Sequence, residues 1–557
     1  MKTGARLLVE GLQREGVETI FGYPGGAVLP IYDELYDAPL RHVLVRHEQA
    51  AAHAADGYAR ASGKTGVCLA TSGPGACNLV TGIATAYMDS VPLVAVTGQV
   101  PTTMLGNDAF QESDITGITF PITKHNYLVK EAAEIGQVVR DAFFIAGTGR
   151  QGPVLIDLPK DVMTTQVEHV PEVREARLRG YQPTYEGHPR QVERAVALIR
   201  EAERPLLYIG GGVVASGAAV EVLALAELTA VPVASTLMGL GAVPCDHPLS
   251  LGMIGMHGTE AANFAVTECD LLIAVGVRFD DRVTGRVEAF APNAAVIHID
   301  IDPAEIGKNK PVDVPIVGDA KLVLRAITAK LARQERGDGW LSRVRRWQEE
   351  GAGAAGTADG LSPAAVIRQM NALLDENAIV VSEVGQNQMW TAQHYCFRRP
   401  RTWITSGGLG TMGYGFPASM GAQFACPDET VALVAGDGSF QMNIQELGTV
   451  VEYDLPVKVV ILNNLYLGMV RQWQELFYDR RYSYTELRPV DFVGIAKAYG
   501  VEGMRVENPD EVGPALEAAF DAEGAFVLDV RIEREANVFP MVPAGAAINE
   551  MIGRRGG

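Results

Sequence analysis

Two short apolar runs limit what this chain can fold into. TVALVA (430–435) and VKVVIL (457–462) are dense in β-branched residues and show no polar alternation. Such runs are strands buried on both faces, as in a parallel sheet covered by helices. The first runs into Gly436-Asp437-Gly438-Ser439 and the second into Asn463-Asn464. Side-chain oxygens therefore stand at the carboxyl ends of parallel strands, where open α/β sheets bind ligands. A GDG triplet by itself is more often a turn. Paired with the asparagines one βαβ unit later, it suits a hard cation such as Mg²⁺. That ion keeps phosphate oxygens in its shell, so a diphosphate ligand is expected.

The same strand–helix alternation runs through most of the 557 residues. Residues 1–165 carry strand runs beginning at Thr19, His42, Gly66, Leu93 and Val154. Residues 190–335 carry runs at Pro205, Val231, Leu271 and Val296, and residues 360–535 hold the opening motif. The expected fold is α/β, with three doubly wound parallel-sheet domains. A charged helix (333–350) and a Gly/Ala linker (351–356) separate the last two, and residues 536–557 read as a tail able to close over a site.

A net charge of −20 disfavours nucleic acid and anionic membranes as partners. The longest uncharged stretch, 65–88, is broken by Ser72-Gly-Pro-Gly75 and is a poor membrane span. Six scattered cysteines with no CxxC pair suggest neither zinc nor disulfides, so a reducing cytoplasm is expected. The N-terminus opens on a helical pattern rather than a targeting segment.

Several loops carry weaker signals. Glu48 in Arg46-His47-Glu48-Gln49 opens an alanine-rich helix, where an acidic residue also simply suits the helix dipole. TSGPGACN (71–78) is a strand-to-helix turn whose glycines permit close backbone approach. Tyr23-Pro24-Gly25-Gly26 and Phe110-Gln111-Glu112 are similar loops. Gly210-Gly211-Gly212 follows a strand as a phosphate-approach loop would. The cluster Arg278-Phe279-Asp280-Asp281-Arg282 reads equally well as surface ion pairs. Trp473, at helical spacing, is by default a core residue.

Together these segments resemble thiamine-diphosphate-dependent 2-keto-acid enzymes, and specifically the catalytic subunits of the biosynthetic acetohydroxyacid (acetolactate) synthase family. The likeness spans almost the whole chain. It includes FGYPGGAVLPIYD (21–33), RHEQAAAHAADGYARASGK (46–64), TGQVP (97–101), DAFQE (108–112), GMHG (255–258), GVRFDDRVTG (276–285), GQNQMW (385–390), SGGLGTMGYGFPA (406–418) and NNLYLGMVRQWQ (463–474). The resemblance implies three cofactors: thiamine diphosphate, Mg²⁺ and FAD. Glu48 is then the carboxyl that hydrogen-bonds the aminopyrimidine. Tyr23, Pro24, Pro74 and Asn78 line the pyrimidine pocket. Met412 is the bulky residue that keeps the cofactor bent.

By the same resemblance Gly385, Gln386, Asn387, Gly436, Gly438, Ser439, Gly468 and Met469 hold the diphosphate half. Asp437, Asn464 and the carbonyl of Tyr466 ligate the metal. Leu465-Tyr466-Leu467 departs from the more polar turn of relatives, which a carbonyl ligand tolerates. Flavin falls to Arg150, Gly210, Gly211, Gly212, Thr236, Leu237, Met238, Met256, His257, Arg278, Asp280, Arg282, Asp300, Ile301, Asp319 and Ala320. Gly26, Gln111 and Lys160 approach the active-site mouth with Phe110. Trp473 favours 2-ketobutyrate over pyruvate as acceptor, and the 465–485 segment and the tail are candidate lids.

The implied activity joins a two-carbon unit from pyruvate to a second 2-keto acid. The implied assembly is a homodimer or dimer of dimers with a small regulatory subunit. Rival readings are a flavin-containing pyruvate oxidase, a glyoxylate carboligase or a silent nucleotide-binding regulator. Glu48 opposes the carboligase, and Trp473 with RFDDRVTG opposes the oxidase. Intact Glu48, Asp437 and Asn464 oppose the regulator.

Overall fold

Every strand run named above becomes a strand in the computed structural model, which describes residues 1–334, 338–352 and 361–553. Among the described residues there are three six-stranded parallel sheets. The first is built from β1 (Thr19–Gly22), β2 (Arg41–Leu44), β3 (Gly66–Ala70), β4 (Leu93–Gln99), β5 (His125–Leu128) and β6 (Pro153–Pro159), in the order β2-β1-β3-β4-β6-β5. The second holds β7 (Pro205–Ile209), β8 (Val233–Ser235), β9 (Ser250–Met253), β10 (Leu271–Val275), β11 (Ala295–Asp300) and β12 (Val314–Val317), in the order β9-β8-β7-β10-β11-β12. The third holds β13 (Ile379–Ser382), β14 (Trp403–Thr405), β15 (Val431–Gly436), β16 (Lys458–Asn463), β17 (Glu502–Val506) and β18 (Phe526–Arg531), in the order β14-β13-β15-β16-β18-β17.

Both faces of these sheets are buried. Along β3, Cys68 and Ala70 enter one apolar cluster while Val67 and Leu69 enter another. In the third sheet only β15 and β16 carry a run named above; in the first two sheets β5, β9 and β12 alone carry none. All three are edge strands, and β5 and β12 are only partly covered, so they lack the continuous apolar signal of a central strand.

The central order has the 3-2-1-4-5-6 pattern of dinucleotide-binding sheets. The first and third sheets share a different pattern, 2-1-3-4-6-5. In each sheet the chain reverses direction beside its first strand, which opens a crevice at the carboxyl ends of two adjacent strands. Those strands are β1 and β3, β7 and β10, and β13 and β15.

The first and third domains meet through two helices, α1 (Glu48–Ser62) and, further on, a helix spanning Gly415–Ala425. Ala50, Ala51, Ala52, Ala54 and Ala55 of α1 are fully buried. A Cβ at Gly57 would fall on the backbone of Ala418, and one at Gly421 on the backbone of Ala54. Small residues alone permit this approach. The contact is flanked by a buried polar network. The Tyr414 hydroxyl donates to Asp56 at 2.6 Å, and Arg60 bridges Asp56 at 2.6 Å and Asp89 at 2.9 Å. Asp89 also accepts the backbone N–H groups of Gly407 and Gly408 at 3.0 and 2.7 Å.

Two expectations need correction. The cysteines are not all unpaired. Cys245 and Cys396 form a disulfide, their Cα atoms 5.4 Å apart, and a sequence separation of 151 hides the pairing in the sequence. The charged helix begins later than expected and runs Asp338–Ala352, taking in the first two residues of the predicted linker. The remainder of that linker lies outside the described residues.

The tail is a packed strap. Val538, Met541, Val542, Ile548 and Met551 are buried. Val542 N donates to Met256 O at 2.8 Å, and Val538 N donates to Gln472 Oε1 at 2.8 Å. The strap thus binds the central and third domains together. Its last four residues, 554–557, lie outside the described residues.

The helix contact yields a direct expectation. Gly421→Ala should cost about 1–3 kcal/mol, the usual penalty for overpacking, seen as a lower denaturation midpoint. Gly339→Ala, on an exposed helix position where an added Cβ meets none of the described residues within 4 Å, should be neutral or stabilising by up to about 1 kcal/mol.

Candidate active site

Every position that the resemblance assigns to flavin lines one cavity of about 670 Å³. The cavity opens at the central crevice, where Gly210 follows β7 and Gly276 follows β10. A Cβ on Gly212 would lie 2.6 Å from Gly276 Cα, so the two loops touch backbone to backbone. Opposite them, Thr236 Oγ1 and His257 Nδ1 are buried without a hydrogen-bond partner among the described residues. Such orphaned polar atoms fit a polar ligand in the cavity. Burial lowers the His257 ring to about 4, leaving it neutral, and raises the Asp300 carboxyl to about 7.

The cationic side chains here are mostly engaged. Arg150 reaches Glu305 at 2.6 Å and Ser90 at 2.9 Å, and Arg278 donates to Met88 O at 2.9 Å. Asp280 caps the short helix Asp281–Thr284 by accepting Arg282 N at 3.1 Å. The Arg282 guanidinium lies 5.8 Å from the ring centre of Trp473, within cation–π range. Gly385, Met412, Met469 and Trp473 of the third domain line this same cavity.

Helices α2 (Gln386–His394) and α4 (Asp437–Phe440) place diphosphate candidates, and α3 (Gly415–Ala425) is the helix that meets α1. With α5 (Leu447–Glu452) and α6 (Gly468–Phe477) they complete the elements used below. Helices α2 and α6 begin at the crevice, where free N–H groups and the helix dipole favour anions. Asn387 donates to Glu383 O at 2.8 Å and Val434 O at 3.1 Å, which pins the glycine loops. A side chain at Gly438 would meet Leu467 Cδ2 at 2.7 Å, and one at Gly468 would meet Asn464 Nδ2 at 2.9 Å. The Ser439 hydroxyl turns back to Gly436 O at 3.2 Å.

Asp437 is 2 % exposed, and its Oδ1 has no hydrogen-bond partner among the described residues. Burial raises its carboxyl to about 7. An uncompensated carboxylate oxygen beside Asn464 is the donor set a divalent cation takes. The adjacent asparagines divide their work. Asn463 is tied to Asp529 at 2.7 Å, while Asn464 faces Gln386 Oε1 at 3.1 Å and accepts Tyr466 N at 3.2 Å. The segment expected as a lid is anchored at its root: Leu467 N donates to Thr485 O, and Leu487 N to Leu465 O.

The first-domain candidates form their own cluster at the β1/β3 crevice. Asn78 donates to Glu48 Oε2 at 2.9 Å. A Cβ on Gly75 would sit 3.1 Å from Glu48 Oε1, and one on Gly73 2.7 Å from Gln111 O. Ala27 N, after Gly26, donates to Thr71 Oγ1 at 3.3 Å. Tyr23, Pro24, Gly26 and Pro74 are exposed, and Phe110 is 88 % exposed. None of these lines the cavity holding Trp473. Lys160 opens on a different cavity, with Thr3, Leu29 and Asp33. Within one chain, then, the structure does not bring the first-domain set to the third-domain set.

Two contributors escaped the sequence reading. Glu383, fully buried, accepts Gly413 N at 2.9 Å and Phe416 N at 3.1 Å, fixing the turn after Met412. Gln472 links Gln386 at 2.8 Å to the tail at Val538 O, 3.0 Å. A lone Glu after a strand and a Gln on a helix carry no signal that they will be buried.

Comparison with known proteins defines the class. Residues 2–118, 192–327 and 383–530 match, in turn, the N-terminal TPP binding, central and C-terminal TPP binding domains of thiamine pyrophosphate enzymes. The chain is 52 % identical over 99 % of its length to a probable acetolactate synthase large subunit of Methanocaldococcus jannaschii, covering 95 % of that protein. It is 52 % identical to an acetolactate synthase of Arthrospira platensis and 46 % identical to an acetolactate synthase large subunit of Haemophilus influenzae, covering 99 % of this chain and 98 % of each relative. The chain belongs to the acetolactate synthase large-subunit family.

The buried Asp437 predicts a pH signature. An unfolded Asp titrates near 3.9, so in metal-free protein its ionisation opposes folding increasingly from about pH 4 to about pH 7 and by a constant amount above. Metal-free Asp437→Asn should therefore be more stable than wild type at pH 8, with the gap narrowing as pH falls. Added Mg²⁺ should raise the melting temperature of wild type and not of the variant.

Proposed function

We propose that this chain is a thiamine-diphosphate-dependent acetolactate synthase. It decarboxylates pyruvate and joins the remaining two-carbon unit to pyruvate, giving 2-acetolactate, or to 2-ketobutyrate, giving 2-aceto-2-hydroxybutyrate. The observation that carries this reading is the shared cavity, where Met412 and Trp473 meet the central-domain positions. Bound thiamine diphosphate supplies an electron sink for the pair released as CO₂ departs.

The residues of this chain supply position and proton control. Asp437, Asn464 and the Tyr466 carbonyl would hold Mg²⁺, with Gly385, Gln386, Asn387, Gly436, Gly438, Ser439, Gly468 and Met469 around the diphosphate. Glu48, oriented by Asn78, would hold a proton at the aminopyrimidine. FAD would occupy the central crevice against Gly211, Thr236 and His257. Arg282, stacked on Trp473, offers a cation for the carboxylate of the acceptor acid. The indole narrows the acceptor space, and one methylene more or less there is worth about 1–3 kcal/mol.

The separation of the Glu48 cluster from the Asp437 cluster supports a homodimer in which each chain lends Glu48, Gly26, Gln111 and Lys160 to its partner's Asp437 site. The exposed Tyr23, Phe110 and Phe120 fit such an interface. Relatives named as large subunits support a small regulatory subunit as a further partner. Among the described residues no helix is long and apolar enough to cross a membrane, and the cytoplasm is the proposed location, with Cys245–Cys396 an exception to the reduced thiols usual there.

With pyruvate, Mg²⁺, thiamine diphosphate and FAD the protein should release acetolactate; acetaldehyde or peroxide as the main product would overturn the assignment. In competition between the two acceptors, Trp473→Leu should lower the preference for 2-ketobutyrate about tenfold or more. Glu48→Gln should slow C2–H exchange of bound thiamine diphosphate by at least about 10²-fold.

A further inference from the structure

Glu446 is 0 % exposed and belongs to the third domain, at the end of the 3₁₀ turn Gln441–Glu446 that follows α4. Its carboxylate is used on the first domain. Oε1 and Oε2 accept the Arg46 backbone N–H at 3.0 and 3.1 Å, and the N–H of His47 adds to the same group. Thr449 Oγ1, on α5, donates to Oε2 at 2.7 Å. Arg46 and His47 are the two residues before Glu48, and His47 is the N-cap of α1.

The grip extends along the approach to Glu48. The Tyr453 hydroxyl accepts Leu44 N at 2.8 Å and donates to His42 O at 3.2 Å. The Arg46 guanidinium donates to Gly448 O at 3.2 Å and pairs with Glu452. The backbone from 42 to 47 is thus held by the segment that starts nine residues after Asp437. Burying a carboxylate is costly unless donors surround it, and burial has lifted this one to about 7. A carboxylate kept there in spite of that cost is more readily explained by the geometry it enforces than by net stability.

We propose that Glu446 is a positioning residue for Glu48: it fixes the β2–α1 backbone so that the Glu48 carboxyl meets the aminopyrimidine in a productive pose. This rests on the role of Glu48 given above. The distinguishing readout is C2–H exchange in holoenzyme saturated with thiamine diphosphate and Mg²⁺, measured beside the affinities for both. Glu446→Ala should slow exchange by about 10²-fold, the effect of roughly an ångström of misplacement, with little change in cofactor affinity. Glu446→Gln, which keeps one acceptor for Arg46 N–H, should recover much of the rate, and Thr449→Val should lose a smaller part.

A merely structural role would lower the melting temperature yet leave exchange in the saturated enzyme at the wild-type rate, and that result would overturn the proposal. If Glu446→Ala does not fold, the Gln and Val variants decide. Exchange reduced in both supports the role, and wild-type exchange in both refutes it. A wild-type protein that makes no acetolactate and exchanges no C2 proton would instead remove the proposed function, and this inference with it.

Discussion

The close approach of α1 and α3 is the contact on which the rest of the molecule depends. At Gly57 and Gly421 the helices meet backbone against backbone, with no side chain between them. Two glycines and a run of alanines make this possible, and any larger residue would separate the domains. The same contact sets Asp56, Arg60, Asp89 and Tyr414 into a closed polar network. Because Asp89 also holds the N–H groups of Gly407 and Gly408, which line the central cavity, the interface and the cavity wall share one carboxylate.

Around that interface the buried acids form a pattern. Asp300, Glu383, Asp437 and Glu446 each carry a carboxyl raised to about 7, in every case chiefly by burial. Glu383 and Glu446 accept backbone N–H groups beside Met412 and Glu48, so their burial is compensated and their effect is to hold a loop. Asp437 keeps one oxygen without a partner among the described residues, as suits a cation site. Surroundings rather than residue type separate these roles.

Much of this was legible in the sequence because the signals are local. Parallel strands announce themselves by continuous apolar runs, and Gly436-Asp437 or Gly210-Gly211-Gly212 sits where such a run stops. What escaped was non-local. Edge strands such as His125–Leu128 are half exposed and lack the apolar signal. Glu446 and Glu383 look like solvated acids until another element covers them. Cys245 and Cys396 are joined across a sequence separation of 151. The tail, marked in sequence by Pro540, Pro543 and several glycines, folds as a strap because Val538, Met541 and Ile548 find apolar cover on other domains. Strand order is invisible to periodicity, since it is decided by packing between elements far apart in the chain.

The strand order shared by the first and third sheets has a symmetry consequence. Helix α1 lies between the second and third strands of its domain, and α3 lies between the second and third strands of its own. The offset that carries Ala54 to Ala418 carries Gly57 to Gly421. The contact of Gly57 with Ala418 and that of Gly421 with Ala54 are therefore mates across a local two-fold axis. This is the isologous geometry of a homodimer interface, written inside one polypeptide. The same offset takes Glu48 to Met412. Glu48 is the first residue of α1, whereas Met412 stands in the turn three residues before α3, so at the helix starts the two halves part and carry different chemistry, a carboxyl and a thioether.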